Sequence, residues 1–169
     1  MSDKIAEMIR VNHAGEYAAK RIYEGQLAIL KNTPDEAVIE HMKSQELEHL
    51  EYFEQQMITR RVRPSLLSPF WHIAGYALGV GTAMLGPKAA YACTEAVEEV
   101  IEQHYLEQIE ELAENEPELS AKISKFLADE VEHKNTAQNH HAKAAVGYPY
   151  LTSIIKFGCK CAIRIAKHI

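Results

Sequence analysis

The sequence lacks the signatures of several common classes of protein. Its three cysteines, Cys93, Cys159 and Cys161, form neither a disulfide framework nor a zinc ribbon, so a reducing compartment is the simpler expectation. Neither a Gly-x-Gly-x-x-Gly motif nor a Cys-x-x-Cys pair occurs, which argues against a Rossmann cofactor domain and a rubredoxin-type iron site. The net charge of −6 argues against a general nucleic-acid binder. The first residues already follow a helical pattern, so we expect no signal or transit peptide within this chain.

The length and the apolar content favour one domain. The chain has 169 residues, of which 47% are hydrophobic, and this is enough for a single substantial core over residues 1–169. Apolar residues recur at helical spacing along most of the chain, which predicts an all-α protein.

Two Glu-x-x-His pairs lie within these helical runs. They are Glu46 with His49 and Glu130 with His133. Residues three apart lie on one face of an α-helix, so each pair can direct a carboxylate oxygen and an imidazole nitrogen toward one point. A single pair is weak evidence, because both residue types are common on solvated helix faces. Two such points facing each other would form a dinuclear metal site.

A lone glutamate precedes each pair at nearly the same distance along the chain. The interval from Glu16 to Glu46 is almost equal to the interval from Glu98 to Glu130. Glu130 and His133 follow Glu46 and His49 by the same number of residues, and Glu98 follows Glu16 by nearly that number. This regularity predicts an internal repeat of one helical hairpin.

The apolar stripes of the helices select these lone glutamates from their neighbours. Glu16 lies within the apolar stripe of the first helix, whereas Glu24 lies among basic residues. A carboxylate on a buried face must be paired, protonated or bound to metal, and a hydrogen bond with His13 is the alternative to a metal here. Glu98 shares an apolar stripe in the third bundle helix. A separate polar stripe is predicted there for Glu95, Glu99, Glu102 and Glu110.

Capping and breaking residues predict the helix limits. Four bundle helices are predicted over residues 3–31, from Pro34 to 59, from Pro87 to the turn at 116–118, and over 119–145. Thr33 is predicted to cap the second helix, with Glu36 completing a capping box. Gly147-Tyr148-Pro149 is predicted to end the fourth helix.

The segment Phe70–Gly86 contains no Asp, Glu, Lys or Arg. Interrupted by four glycines, it is short for a membrane span, which needs about 20 residues. One interpretation is a buried crossover between the two hairpins. The other is a surface that enters the bilayer or admits an apolar substrate, with Trp71 and the arginines of residues 60–63 near lipid headgroups.

The tail, Leu151–Ile169, is predicted to form a separate amphipathic helix. Its basic stripe consists of Lys156, Lys160, Arg164 and Lys167. In an acidic protein this stripe indicates anionic lipid headgroups as a partner. The alternative is a last helix docked on the bundle, with the charged ends of its lysines extending to solvent.

Further motifs accompany the four glutamates and two histidines. They are Asn12-His13-Ala14-Gly15-Glu16-Tyr17, Arg61-Val62-Arg63-Pro64, Gly79-Val80-Gly81-Thr82-Ala83-Met84-Leu85-Gly86, and Glu98-Glu99 followed by His104-Tyr105. Together with the ligand set of ferritin-like di-iron carboxylate proteins, they resemble the demethoxyubiquinone hydroxylase family of ubiquinone biosynthesis. The resemblance runs from about Arg10 to the C-terminus. One departure is the basic end Lys167-His168-Ile169, where the family often has a helix of mixed charge.

The resemblance implies a ferritin-like four-helix bundle, built from the two repeated hairpins, with two iron ions per chain. One iron would be bound by Glu16, Glu46 and His49, and the other by Glu98, Glu130 and His133, with some glutamates bridging. Four carboxylates balance the charge of two Fe(II) ions, and oxygen and imidazole donors suit iron or manganese. His104 and Tyr105 could orient the ligand carboxylates or donate to them, although Tyr105 could equally be a core residue.

The resemblance also implies an activity and a location. The expected reaction is hydroxylation of the ring of a polyprenyl benzoquinol, a demethoxyubiquinol, with O2 and two external electrons from NADH or from the quinol itself. The expected location is peripheral, at the inner face of the bacterial cell membrane, or at the mitochondrial inner membrane if a transit peptide has been removed. Other ubiquinone-biosynthesis proteins are expected partners.

Other classes of protein fit part of the pattern. An iron-storage or peroxide-scavenging bundle, or a manganese catalase, would use the same six ligands. Storage or scavenging would have little use for the uncharged segment Phe70–Gly86. A membrane adaptor without catalytic activity would bind no metal, and Glu46→Ala would then leave its metal content unchanged.

Overall fold

The structure, a computed structural model, describes residues 3–168, and these are helical over most of their length. The elements are α1 (Asp3–Leu30), α2 (Glu36–Arg60), α3 (Ser68–Met84), α4 (Pro87–Leu112), α5 (Pro117–Asn139), a 3₁₀ turn at Ala142–Ala144, and α6 (Tyr148–His168). No strand occurs within residues 3–168, so the prediction of an all-α fold is confirmed. Ile169, which belongs to the predicted tail helix, lies outside the described residues.

The chain divides into two compact units, each with one of the predicted hairpins. The first unit is Met1–Ala90 with Cys161–Ile169, and the second is Tyr91–Lys160. The α1–α2 hairpin belongs to the first unit, and most of α4 with all of α5 belongs to the second. A single domain over residues 1–169 stays a prediction.

Antiparallel packing of α1 and α2 forms the core of the first unit. The hydroxyl of Tyr23 on α1 donates to the Met42 sulfur on α2 at 4.0 Å, and both side chains are buried. Phe53 is fully buried on α2, and burial of such a side chain contributes about 1.5–3 kcal/mol. Helix α2 ends where Arg61 turns to the left-handed conformation, and the next amide, of Val62, donates to the Met57 carbonyl oxygen at 2.9 Å. The Val62 side chain packs on Met57, which stabilises this turn.

Helix α3 packs closely along α1 through glycines. A Cβ on Gly79 would lie 2.0 Å from the carbonyl oxygen of Ile22, and a Cβ on Gly25 would lie 2.3 Å from the carbonyl oxygen of Tyr76. Only glycine therefore permits the two backbones to approach this closely. The opposite face of α3 and the turn after it expose four large apolar side chains, which are Phe70, Ile73, Met84 and Leu85. The segment is thus buried along one face only, and its interpretation as a wholly buried crossover is wrong.

In the second unit, α4 and α5 form the corresponding antiparallel hairpin. Ser120 near the start of α5 donates to the Ile109 carbonyl oxygen near the end of α4 at 3.1 Å. Further along, Lys134 forms an ion pair with Glu102. Large side chains of the two helices are buried, including Tyr91, Tyr105, Leu119, Ile123 and Phe126.

Several predicted helix limits are wrong. Helix α2 begins at Glu36 rather than Pro34, and the capping box does not form, because Glu36 Oε2 accepts from the Asn32 amide at 2.7 Å instead. Helix α5 ends at Asn139, well before the predicted limit, since the His140 ring packs on Tyr91 and His141 is left-handed. Helix α6 begins at Tyr148 rather than Leu151, because a proline, here Pro149, is well tolerated in a first turn.

Helix α6 presents an amphipathic surface of its own. Its exposed apolar side chains include Tyr150, Ile154 and Phe157. The exposed cations are Lys160, Arg164 and Lys167. Among residues 3–168, none of the helices combines the length and the apolar character needed to cross a membrane.

Candidate metal centre

The first unit brings Glu16 of α1 together with Glu46 and His49 of α2. One potential ligand atom from each of the three lies within 4.8 Å of the others. His49 Nδ1 lies 3.5 Å from Glu16 Oε2. The three residues are only 1–4% exposed. We call this set the first triad.

The second unit repeats the arrangement with Glu98 of α4 and with Glu130 and His133 of α5. Their potential ligand atoms also lie within 4.8 Å of one another. His133 Nδ1 lies 3.2 Å from Glu130 Oε2, and the three residues are 1–2% exposed. We call this set the second triad. The measured contacts differ between the triads, because His49 faces the lone glutamate Glu16 whereas His133 faces Glu130 of its own pair.

The donor chemistry of each triad fits a metal ion. Two ligand atoms bound to one ion at about 2.1 Å each are at most about 4.2 Å apart, which is close to the observed spread. Buried carboxylates favour a counter-ion, because an isolated charge is costly to remove from water. Two carboxylates with one imidazole suit iron, manganese or zinc. The buried Glu and His groups can therefore hold metal.

The residue three positions before each lone glutamate is also buried or nearly so. In the first unit this residue is His13, whose Nε2 lies 3.9 Å from Glu54 Oε1. Burial lowers the pKa of His13, while the negative charges of Glu54 and Glu16 act in the opposite direction. A neutral imidazole is thereby favoured next to the first triad.

In the second unit the corresponding residue is Glu95, and the sequence prediction for it is wrong. Glu95 was expected on a polar stripe with Glu99, but it is 2% exposed. Its Oε1 accepts a hydrogen bond from Gln138 Nε2 at 2.8 Å, and its Oε2 accepts one from the Tyr148 hydroxyl at 2.9 Å. Burial, with the hydrogen bond to Glu95 second, raises the pKa of Tyr148 to about 12. The spacing of three from Glu98 was the available signal, because it places both glutamates on one face.

Two residues of α6 interact with glutamates of α4. Lys156 forms an ion pair with Glu99 at 2.7 Å, so only three of the four cations in the predicted basic stripe face solvent. Burial raises the pKa of Cys159 to about 12, with a smaller contribution from the negative charge of Glu98. Cys159 is therefore a neutral thiol.

His104 and Tyr105 lie about two turns after Glu98 on α4. Tyr105 is 1% exposed and belongs to the core of the second unit. His104 Nε2 lies 2.8 Å from Gln108 Nε2 one turn later. The two rings have centroids 6.5 Å apart. Their role toward the ligand carboxylates stays a prediction.

Comparison with known proteins identifies the family of this chain. The family model described as ubiquinone biosynthesis protein COQ7 matches residues 3–166. The chain is 47% identical over 171 residues to the bovine NADPH-dependent 3-demethoxyubiquinone 3-hydroxylase, mitochondrial, and the match covers 99% of this chain and 79% of the relative.

A bacterium and a yeast also have similar proteins. The chain is 45% identical to the 3-demethoxyubiquinol 3-hydroxylase of Rhodospirillum rubrum, covering 98% of this chain and 78% of that protein. It is 40% identical to the 5-demethoxyubiquinone hydroxylase, mitochondrial, of Saccharomyces cerevisiae, covering 96% and 77%. The chain belongs to the COQ7 family of ubiquinone biosynthesis proteins.

Proposed function

We propose that this chain is a monooxygenase that hydroxylates the ring of a polyprenyl demethoxyubiquinol in ubiquinone biosynthesis. The observation that carries the proposal is the pair of buried triads at repeated positions in a chain of the COQ7 family. Relatives from cattle, a bacterium and yeast are named as hydroxylases of demethoxyubiquinone or its quinol. In the reaction a ring C–H bond becomes C–OH, and the second oxygen atom of O2 leaves as water after uptake of two electrons and two protons.

Each triad binds one iron ion in this proposal. The first triad and the second triad together supply four carboxylates, whose formal charge cancels that of two Fe(II) ions. This neutrality supports metal binding, because a neutral cluster is far less costly to bury than separate charges. Bound ions would pass to O2 the electrons that an external donor provides, and the six side chains would hold the ions in place. His104 and Tyr105 act on the ligand carboxylates through hydrogen bonds.

A reduced nicotinamide cofactor supplies the electrons. The bovine relative is named as NADPH-dependent, whereas the resemblance seen in the sequence implies NADH or the quinol itself. Both nicotinamides have the same hydride chemistry, so a direct comparison of their turnover separates them. The chain contains no Gly-x-Gly-x-x-Gly motif, and the donor therefore binds here without a Rossmann fingerprint.

The substrate reaches the enzyme from a membrane surface. The exposed apolar face of α3, with Phe70 and Ile73, is suited to contact acyl chains. On α6, Ile154 and Phe157 supply a second apolar surface next to exposed basic residues, which suits anionic headgroups. The chain is thus proposed to bind peripherally, at the inner face of a bacterial cell membrane or at the mitochondrial inner membrane. There it would meet other ubiquinone-biosynthesis proteins.

Matched variants on α2 and α5 test the proposal. Glu46→Ala and Glu130→Ala each remove a buried ligand, whereas Glu48→Ala and Glu132→Ala remove a glutamate two positions away that is more exposed. The first two variants should lose bound iron and at least 100-fold in hydroxylation of a short-chain demethoxyubiquinol, and the controls should retain both. Equal iron content and activity in all four variants would refute the assignment. Iron binding and peroxide removal without hydroxylation would favour a storage or scavenging bundle.

A further inference from the structure

A hydrogen-bonded connection joins α4 to α5 beside the second triad. Glu95 lies shortly before the ligand Glu98 on α4, and Gln138 lies shortly after the ligand His133 on α5. The side chains meet at 2.8 Å, and Gln138 is exposed whereas Glu95 is buried. We call this pair the second crossbar. Tyr148 completes it by donating to the other oxygen of Glu95.

The first unit contains a contact at the equivalent positions. The offset that relates Glu98 to Glu16 also relates Glu95 to His13, and the offset that relates His133 to His49 also relates Gln138 to Glu54. His13 and Glu54 approach to 3.9 Å, and again the residue of the first helix is largely buried while its partner is exposed. We call this pair the first crossbar. The repeat thus retains a position and a geometry although the residue types differ.

We propose that Glu95 is a positioning residue for the second triad and that the second crossbar fixes the register of α4 against α5 at the level of the ligands. This inference rests on the proposed binding of metal by the triads. The first crossbar has the same role for the first triad.

The position of the second crossbar explains why it would matter. Glu98 reaches the second triad from α4, whereas Glu130 and His133 reach it from α5, so sliding or rotation of one helix would separate the ligands. Glu95 accepts from two donors on other elements, and it lies about one helical turn from Glu98. Loss of these hydrogen bonds would also leave a buried polar group without its donors, which is costly. Residues that orient ligands from outside typically change metal affinity by about 10–100-fold when they are replaced.

The two crossbars differ in their strength. The second crossbar has two hydrogen bonds of ordinary length to one buried carboxylate, and Tyr148 extends it to the start of α6. The first crossbar has one longer contact, at 3.9 Å, with a glutamate that is 55% exposed. We therefore expect the replacement of Glu95 to change metal affinity more than the replacement of His13.

The test uses Co2+ as the probe, because its visible absorption reports ligand geometry. His49→Ala leaves the second triad intact, and His133→Ala leaves the first triad intact. Adding Glu95→Ala should weaken Co2+ binding about 10–100-fold in the His49→Ala protein and by less than about twofold in the His133→Ala protein. The Co2+ absorption spectrum should change only in the first case.

Two control variants separate positioning from general loosening of the fold. Glu95→Gln should retain most of the affinity, because an amide can accept from Tyr148 and donate to the amide oxygen of Gln138. Glu99→Ala removes a carboxylate from the same helix that faces Lys156, and it should leave Co2+ binding unchanged. An equal loss of Co2+ affinity with Glu99→Ala would overturn the proposal. So would an equal effect of Glu95→Ala in the His49→Ala and His133→Ala proteins.

A second titration keeps all six ligands. Wild-type protein should bind two Co2+ ions, and Glu95→Ala should weaken one of them while His13→Ala weakens the other. Wild-type protein that binds no Co2+ would overturn the proposed function itself. Two tight Co2+ sites that Glu95→Ala leaves unchanged would overturn only the role of the second crossbar.

Discussion

Two glycines in α3 provide a matched test of the packing between α1 and α3. A Cβ on Gly79 would lie 2.0 Å from the Ile22 carbonyl oxygen, whereas a Cβ on Gly81 meets nothing within 4 Å. Ordinary van der Waals contact begins near 3.4 Å, so Gly79→Ala must push the helices apart by more than an ångström. Gly81→Ala changes only the intrinsic helix propensity.

The expected effects have opposite signs. Overpacking of a tight interface costs about 1–3 kcal/mol, so Gly79→Ala should lower the free energy of unfolding by that order. Alanine is favoured over glycine in a helix by about 1 kcal/mol, so Gly81→Ala should raise the free energy of unfolding by up to that amount. Because alanine gains helix propensity at both positions, the two variants should differ by the cost of overpacking, about 1–3 kcal/mol.

Urea denaturation followed by fluorescence measures this difference. Trp71 is the single tryptophan of the chain, and it packs against the cluster of Val11, Ala14 and Ala166 in the same unit. Its emission therefore reports the contact of α3 with α1, and far-UV circular dichroism reports the helices as a whole. If Gly79→Ala proved as stable as Gly81→Ala, the close glycine packing described here would be incorrect.

Three further predictions concern exposed and titratable side chains. Ile73→Asp should reduce the flotation of the protein with anionic phospholipid vesicles several-fold. Ile58→Asp, the same change at an exposed isoleucine of α2, should not reduce it. Equal flotation of the two variants would argue against α3 as the surface that contacts the membrane. Cys159 should be alkylated by iodoacetamide at pH 8 at least tenfold more slowly than an unfolded control, since its pKa is raised to about 12, and mass spectrometry of the labelled peptide measures the rate. The pKa of Tyr148 is also raised to about 12, so its protonated form stabilises the fold fully below pH 10, and this contribution is lost as the pH approaches 12. With Tyr148→Phe, the free energy of unfolding should decrease less steeply as the pH rises over that range. An unchanged pH dependence would contradict the assignment of this loss of stability to Tyr148.

Much of the metal centre could be predicted because its pattern is local. Glu46 and His49 share a face through the geometry of one helix, and no tertiary information is needed to see it. The prediction of Glu16 and Glu98 required only the apolar stripe around each residue and the regular offset between the two halves of the chain. The all-α fold followed from the same periodicity.

The surroundings of the triads depend on residues that are distant in sequence. Glu95 looked like part of a polar stripe, because its hydrogen-bond donors, Gln138 and Tyr148, lie far along the chain on other elements. The early end of α5 could not be predicted for a similar reason, since the His140 ring packs on Tyr91 of α4. Local propensity cannot show such contacts, and tertiary packing overrides it in both places.

Turnover under 18O2 tests the central claim most directly. The assay combines iron-loaded protein, a short-chain demethoxyubiquinol and NADH or NADPH, with mass spectrometry of the extracted quinone. The account predicts a product with one 18O atom in its new hydroxyl group, and loss of that product in Glu130→Ala but not in Glu132→Ala. Oxidation of the nicotinamide or of Fe(II) with no 18O in the quinone would contradict the account.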